Sequence, residues 1–209
     1  KCPNSMFVQI VSDLHREFNL DSAPLGFSPA AEILIIPGDI HVGLVNLNLF
    51  FEDISRLYQH IIIVLGNHDF YGYSLTSLLE GLELPTNVHL LNKSYVTIDG
   101  QRFIGGTLWF QRDPMIPLYQ SQLSDFSQIR RFGEVYDLCE ETIGFFNNTI
   151  TRDDIVVTHH LPSYQSVSDE FKGSPFNIFF VCDLENLILD RQPKLWIHGH
   201  THSQNDYLI

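Results

Sequence analysis

Short apolar runs recur along the chain, and each ends in a cluster of polar residues. The five runs cover 7–11, 33–36, 61–65, 155–157 and 195–197, and none is longer than five residues. They are rich in Ile and Val, a composition typical of strands that are buried on both faces of a sheet. The pattern therefore predicts five buried strands, each followed by a polar loop.

Longer segments between these strands have a different period. In 44–58 the apolar residues recur every three or four positions, as they do on one face of a helix. The segments 75–82, 136–146 and 184–189 are predicted to be helical on similar grounds. Strands that alternate with helices imply crossover connections, so the chain is predicted to contain a largely parallel sheet.

The middle of the chain shows a third pattern. Three short strands are predicted over 88–91, 95–98 and 102–105, and Asp99-Gly100 is a strong signal for a hairpin turn between the last two. Residues 111–133 are polar and irregular, which predicts a long loop or a lid.

The polar clusters lie where the five buried strands end. In open α/β sheets, ligands bind outside the carboxyl ends of the strands, so residues far apart in sequence are expected at one rim. Most of the residues in these clusters carry a carboxylate or an imidazole. They are Asp13, His15, Asp39, Asn67, His68, His159, His160, His198, His200 and His202.

Imidazole and carboxylate ligands suit borderline metals such as Mn, Fe, Zn and Ni, and the residue types do not choose among these ions. About four ligands satisfy one ion, so this larger set favours two divalent or mixed-valence ions that share a carboxylate. Two such ions can clamp a phosphoryl group, generate hydroxide and stabilise the leaving oxygen. The pattern therefore suits chemistry on a phosphoryl group.

Five sequence blocks resemble, in order, those of the calcineurin-like metallophosphoesterase family. Each follows a predicted strand, and together they lie within residues 7–202. The segment 106–110 is similar to one common in bacterial members of unassigned substrate. The five blocks are Asp13-Leu14-His15, Gly38-Asp39, Gly66-Asn67-His68-Asp69, Thr158-His159-His160 and Gly199-His200-Thr201-His202.

The resemblance implies an α/β fold in which a two-sheet β-sandwich is flanked by helices, giving four layers in the order αββα. A single domain of this kind is expected over 1–209. Members of the family usually have further strands after the last histidine block, whereas this sequence ends at Ile209. Either the chain is a shortened member or the sequence is incomplete. The last C-terminal strands of the sandwich are expected to be absent from it, which would leave an exposed sheet edge and favour a homo-oligomer.

The resemblance also implies a role for each matching residue. His68 would hydrogen-bond the phosphate or protonate the leaving oxygen, and Asp69 would orient His68 through its other ring nitrogen. A hydroxide shared by the two metals would attack phosphorus in line. The implied ligands are Asp13, His15 and His202 for the first metal, Asn67, His159 and His200 for the second, and Asp39 as the bridge.

Four further residues are predicted to contact the substrate: His41, Trp109, Arg131 and His160. Three of them also have an ordinary structural interpretation, and His41 has no clear role. Trp109 with Phe110 could form a core aromatic cluster, Arg131 could be solvated, and His160 could support a neighbouring ligand. His198 is predicted to be structural.

The net charge of the chain disfavours some classes of binding partner. The chain has 25 acidic and 12 basic residues, a formal net charge of −13. Such a surface repels a phosphate backbone, so nucleic acid larger than a small nucleotide is disfavoured and a nuclease becomes a secondary alternative. A catalytically silent metal-binding scaffold is the other alternative, although all seven implied ligands and His68 are present. A phosphomonoester and a phosphodiester both remain open as substrates.

Cysteine usage indicates the compartment. Cys2, Cys139 and Cys182 are far apart and form no Cys-x-x-Cys motif, so neither a thiolate zinc site nor a disulfide framework is predicted. Reduced, mostly buried thiols in a cytoplasmic protein are expected. No apolar run is long enough to cross a bilayer, so no membrane partner is predicted.

Overall fold

The computed structural model describes residues 6–18 and 27–209, and eight strands in this part of the chain form two sheets of four strands each. The strands are β1 (Val8–Ile10), β2 (Ile33–Pro37), β3 (His60–Val64), β4 (Val88–Leu90), β5 (Ser94–Ile98), β6 (Gln101–Gly106), β7 (Ile155–Thr158) and β8 (Leu195–Ile197). The helices are α1 (Leu44–Ser55), α2 (Leu75–Gly81), α3 (Ile116–Tyr119), α4 (Asp125–Gln128), α5 (Glu134–Thr149) and α6 (Glu185–Arg191). The described residues also contain six short 3-10 helices, at Arg16–Phe18, His68–Phe70, Gln120–Gln122, Tyr164–Ser166, Asp169–Phe171 and Pro175–Phe179.

The first sheet has the order β1-β2-β3-β4 and is parallel throughout. The second has the order β5-β6-β7-β8, in which only the β5–β6 pair is antiparallel. Asp99 and Gly100 join β5 to β6 with φ values of 50° and 83°, as a hairpin with a type I′ turn requires. The predicted hairpin and the predicted excess of parallel strands are both confirmed.

Alternate residues of the buried strands enter different layers. In β2, Ile33 and Ile35 pack against the other sheet, whereas Leu34 and Ile36 pack on the helical side. In β7, Val157 packs between the sheets and Val156 on the helical side. A strand that is apolar at every position is therefore buried on both faces, and the predicted four-layer αββα sandwich is confirmed.

The segment 111–133 differs from its prediction as a loop or lid. It contains α3 and α4, and Asp125, Ile129 and Phe132 are buried in it. Its apolar residues join the main core, so tertiary packing orders a segment whose composition is polar. In the described part of the chain, no helix is both long and apolar enough to cross a membrane.

Candidate metal centre

The loops after five strands bring the predicted ligands to one rim of the sandwich. β1, β2 and β3 lead into Asp13, Asp39 and Asn67 on the side of the first sheet. β7 and β8 lead into the histidines of the second sheet. Each sheet therefore supplies part of the site. The histidines after β7 and β8 are His159, His200 and His202.

Asp13, His15 and His202 form one group whose ligand atoms all lie within 4.8 Å of one another. The Nε2 atoms of His15 and His202 are 3.0 Å apart. The Nε2 atom of His202 is also 3.5 Å from Oδ1 of Asp13. These are the three residues that the family resemblance implies for the first metal.

Asp39, His159 and His200 form a second group within the same limit. The Nε2 atom of His159 is 3.5 Å from Oδ1 of Asp39 and 3.0 Å from Oδ1 of Asn67. The other oxygen of Asp39, Oδ2, is 3.5 Å from Nε2 of His15. Asp39 therefore directs one oxygen toward each group.

The donor set fits metal ions. The Nε2 atom of His200 is buried and has no hydrogen-bond partner among the described residues, which is costly for a polar atom unless a ligand satisfies it. Burial, followed by the charges of neighbouring histidines, holds the pKa of His200 well below the ordinary value. A neutral imidazole is the form that binds a metal.

The backbone at these residues is also unusual. Five of the seven implied ligands have a positive φ, a conformation that L residues other than Gly seldom adopt. Such strained positions cluster at functional sites, where the surrounding structure holds them in place. The φ values are 54° at Asp13, 41° at His15, 54° at Asp39, 73° at His200 and 52° at His202.

Gly66 allows the loops after β2 and β3 to approach each other closely. A Cβ atom on Gly66 would lie 2.1 Å from Oδ1 of Asp39 and 2.7 Å from Cε1 of His159. Any side chain at this position would therefore occupy the space of two implied ligands.

Asp69 occupies a different position from the one predicted for an orienting partner of His68. Its carboxylate is fully buried and accepts hydrogen bonds from the backbone N–H groups of Asp39, Ile40, His41 and Gly66 at 2.8–3.1 Å. Burial, and then the negative charge of Asp39, raise the pKa of Asp69 to about 7 against these backbone donors. Asp69 thus ties the loop that carries Asp39 to the loop after β3.

The carboxylate that contacts His68 belongs to Glu17, which the sequence did not single out. Oε1 of Glu17 is 3.0 Å from Nδ1 of His68 and 3.2 Å from Nδ1 of His15. Burial opposes the charged form of His68, but the hydrogen bond with Glu17 and the charge of Asp39 outweigh it and raise the pKa of His68. The acidic residue two positions after Asp13-Leu14-His15 was the only sequence signal for this contact.

Asp125 is a second residue that the sequence missed. Its Oδ1 atom accepts hydrogen bonds from Nδ2 of Asn67 at 2.9 Å and from the Tyr71 hydroxyl at 2.6 Å. Because a carboxylate offers only acceptors, this contact fixes the amide nitrogen of Asn67 toward Asp125. The carbonyl oxygen of Asn67 is then left facing His159, as a metal ligand requires.

A cavity of about 540 Å³ opens over these residues. Aromatic and apolar side chains form much of its wall. A larger cavity of about 690 Å³ lies elsewhere, between Tyr164 and Tyr207, and holds none of the implied ligands. The wall of the first cavity consists of His15, Phe18, Asp39, Asn67, His68, Tyr71, Gln122, Leu123, Ser124, Asp125, Phe179, Phe180, His200 and His202.

None of the four predicted substrate contacts lines this cavity. Trp109 is fully buried and packs against Phe70, Phe132 and His160. Trp109 therefore belongs to a core aromatic cluster, which was its alternative interpretation, and not to the cavity wall. Arg131 is exposed and pairs with Glu134 at 2.6 Å.

The two histidines among these four residues also lie outside the cavity wall. His160 is fully buried, its ring centroid lies 4.5 Å from that of His200, and its Nε2 atom has no partner among the described residues. His41 donates its backbone N–H to Asp69. His160 therefore lies behind a ligand rather than in the cavity.

Two other predictions from the sequence concern His198 and the cysteines. The Nε2 atom of His198 is 2.8 Å from Oγ of Ser166, and its Nδ1 atom is 2.9 Å from the Gly199 carbonyl oxygen, so both ring nitrogens have protein partners. Cys139 and Cys182 are buried free thiols whose sulfurs are 3.7 Å apart. Cys2 lies outside the described residues.

The αββα fold with candidate metal-ligand groups at one rim is the arrangement expected of a metal-dependent hydrolase. The family model for calcineurin-like phosphoesterase matches residues 8–204, so the chain belongs to that family, whose activity is metal-dependent hydrolysis of phosphate esters.

Two individual comparisons show what else the chain is similar to. The chain is 25% identical over 195 residues to the uncharacterized protein L509 of Acanthamoeba polyphaga mimivirus, with 78% of this chain and 69% of that protein covered. Its fold is similar to the crystal structure of phosphopantetheinyl hydrolase (PptH) from Mycobacterium tuberculosis, with a TM-score of 0.74 and 12% identity. That match covers 97% of this chain and 85% of the other.

Proposed function

We propose that the protein hydrolyses a small or medium phosphate ester with two metal ions held at this rim. The observation that carries the proposal is the pair of ligand groups that meet at Asp39. Its two oxygens lie 3.5 Å from ligand nitrogens of opposite groups. When bound, two such ions lower the pKa of a water molecule and neutralise charge on the phosphoryl oxygens.

The residues of the rim would have two roles, metal binding and proton donation. Asp13, His15 and His202 would hold one ion, Asn67, His159 and His200 the other, and Asp39 both. His68 lines the cavity but uses its Nδ1 atom for the contact with Glu17. Its Nε2 atom is the ring nitrogen left to give a proton to the leaving oxygen, a role worth about 10²–10⁴-fold in rate.

The cavity wall favours a single phosphoryl group attached to an apolar or aromatic alcohol. Phe18, Tyr71 and Phe180 offer ring surfaces, and the Phe180 ring is stacked on His200 at 4.5 Å between centroids. Among the described residues that line the cavity there is no Lys or Arg. Polyphosphates and nucleic acid would therefore lack the cationic partners that recognise added phosphates, which counts against a nuclease.

The test combines metal analysis with kinetics. Dialysed wild-type protein should retain close to two ions per chain and hydrolyse 4-nitrophenyl phosphate, bis(4-nitrophenyl) phosphate or both, with a rate that rises on addition of Mn²⁺. The ratio of the two rates assigns the monoester or the diester class. His68→Ala should keep the metal and lose about 10²–10⁴-fold in kcat, whereas Asp39→Ala should lose metal as well.

His89→Ala is the matched control, because His89 pairs with His60 on the edge of the first sheet, away from the cavity. It should leave both metal content and rate unchanged. Full turnover in both His68→Ala and Asp39→Ala would refute the assigned site. Wild-type protein that binds metal but turns over neither ester would favour the silent scaffold.

A further inference from the structure

One carboxylate oxygen of Glu17 contacts the rings of two histidines. Its Oε1 atom lies within hydrogen-bond distance of Nδ1 on both His15 and His68, at 3.2 Å and 3.0 Å. The two imidazole rings meet edge to face with their centroids 4.5 Å apart. The other oxygen of Glu17, Oε2, is buried without a hydrogen-bond partner among the described residues, so both contacts depend on Oε1.

The chemistry of these groups fixes the position of the proton. An ionised carboxylate is only an acceptor, so each histidine must carry its proton on Nδ1 to hydrogen-bond Glu17. A glutamate carboxyl is ordinarily ionised at neutral pH. With Oε1 of Glu17 at hydrogen-bond distance from both Nδ1 atoms, the Nδ1–H tautomer is the neutral form that it selects in both rings.

The consequence differs between the two rings. In His15 the selected tautomer leaves Nε2 unprotonated, and this atom lies 3.5 Å from Oδ2 of Asp39 and 3.0 Å from Nε2 of His202. In His68 it leaves Nε2 free of Glu17, so this nitrogen carries the second proton of the imidazolium form and can give that proton to a ligand in the cavity. Glu17 would thus orient both a metal ligand, His15, and a proton donor, His68.

We infer that Glu17 is a positioning residue that sets the Nδ1–H tautomer and the ring orientation of both His15 and His68. The effect on His68 as an acid rests on the proposed function, whereas the tautomer itself does not. Asp69, although adjacent to His68 in sequence, is fully engaged by backbone N–H groups and does not share this role.

The first arm of the test needs neither metal nor substrate. Nitrogen-15 NMR of metal-free protein, at a pH well above the ordinary histidine pKa of about 6.5, reports which ring nitrogen is protonated. Wild-type protein should show the Nδ1–H tautomer for His15 and His68. Glu17→Met, which keeps the length but removes the acceptor, should move both toward the Nε2–H tautomer that free histidine prefers. Glu17→Gln retains an acceptor oxygen and should be intermediate.

The second arm measures kcat with esters whose leaving alcohols differ in acidity, at saturating Mn²⁺ and with metal content checked. An acid matters most for a poor leaving group, so Glu17→Met should lose about 10²-fold or more on phenyl phosphate and under about tenfold on 4-nitrophenyl phosphate. Glu17→Gln should recover part of the loss. Glu140→Gln, an exposed change on α5, should match wild type in both arms.

The outcomes separate the two hypotheses. Unchanged tautomers in Glu17→Met would overturn the inference, whatever the kinetics. Equal losses on both esters would overturn the effect of Glu17 on His68 as an acid. Wild-type protein that lacks turnover would refute the proposed function, and the NMR arm would still decide whether Glu17 sets the two tautomers.

Discussion

Replacement of Gly66 by Ala is a test of how closely the loops around Asp39 are packed. The added Cβ atom would lie 2.1 Å from Oδ1 of Asp39, whereas such contacts are essentially never shorter than 3.0 Å, so about 0.9 Å of movement is needed. The other near atoms, the backbone nitrogen of Asp39 at 2.5 Å and Cε1 of His159 at 2.7 Å, block the alternative directions. Two of the proposed ligands, Asp39 and His159, must therefore move.

The magnitude follows from that displacement. A misplacement of about 1 Å in a catalytic arrangement costs about 10²-fold in rate. The steric strain of one extra methyl group in a packed region costs about 1–3 kcal/mol in stability. Gly66→Ala should therefore remain folded, bind less than the wild-type amount of metal and lose about 10²-fold in turnover of an aryl phosphate.

Gly144→Ala is the matched control. Gly144 lies in α5, and a Cβ atom there would meet nothing within 4 Å. Because Ala favours a helix over Gly by about 1 kcal/mol, this variant should be slightly more stable than wild type and fully active. Metal content by elemental analysis, turnover of 4-nitrophenyl phosphate and urea unfolding would be measured on both variants. Normal metal content and turnover in Gly66→Ala would refute the packing argument.

Two further predictions concern stability. Asp154 is buried and accepts two hydrogen bonds of 2.6 Å from Arg102. Burial favours the neutral form of Asp154, but these contacts outweigh it and lower the pKa of Asp154. The pair therefore stabilises the fold above the ordinary Asp pKa of about 3.9, and this stabilisation is lost as the pH falls through the lowered pKa of the folded state. Asp154→Asn should cost about 1.5–3 kcal/mol at neutral pH and much less in acid, and equal costs in urea unfolding at both pH values would contradict this. Mn²⁺ at about a hundred times its Kd should raise the free energy of unfolding of wild-type protein by about 2.7 kcal/mol and leave Asp39→Asn almost unaffected; an equal rise in both proteins would place the bound metal elsewhere.

Strands that are buried on both faces were predictable because they consist almost entirely of apolar residues. β2 matches its predicted range to within one residue and is buried throughout, since a strand covered on both faces is apolar at every position. β8 also matches its predicted range, although its first residue, Leu195, is exposed. The helices were less well bounded. α5 extends to Thr149, beyond the predicted 146, because its last residues are polar and carry no period.

The partner of His68 could not be predicted from adjacency in sequence. His68 and Asp69 lie in one 3-10 helix, where three residues complete a turn, so consecutive side chains diverge by about 120°. The carboxylate that does contact His68 is 51 residues away, at Glu17. Asp125 is similarly distant from Asn67, in a segment whose sequence gives no regular pattern. Contacts of this kind depend on tertiary packing, which a single sequence does not encode locally.

The origin of the ligands in two different sheets has a consequence for variation far from the cavity. Asp39 follows β2 and His159 follows β7, and these strands are held in separate hydrogen-bonded sheets joined by side chains such as Ile35 and Val157. A substitution between the sheets that lets one slide over the other changes the distance between ligands without touching any of them. The affinity of the proposed site for metal should therefore depend on how the two sheets are aligned, and exchanges between the sheets should change turnover although they touch no ligand.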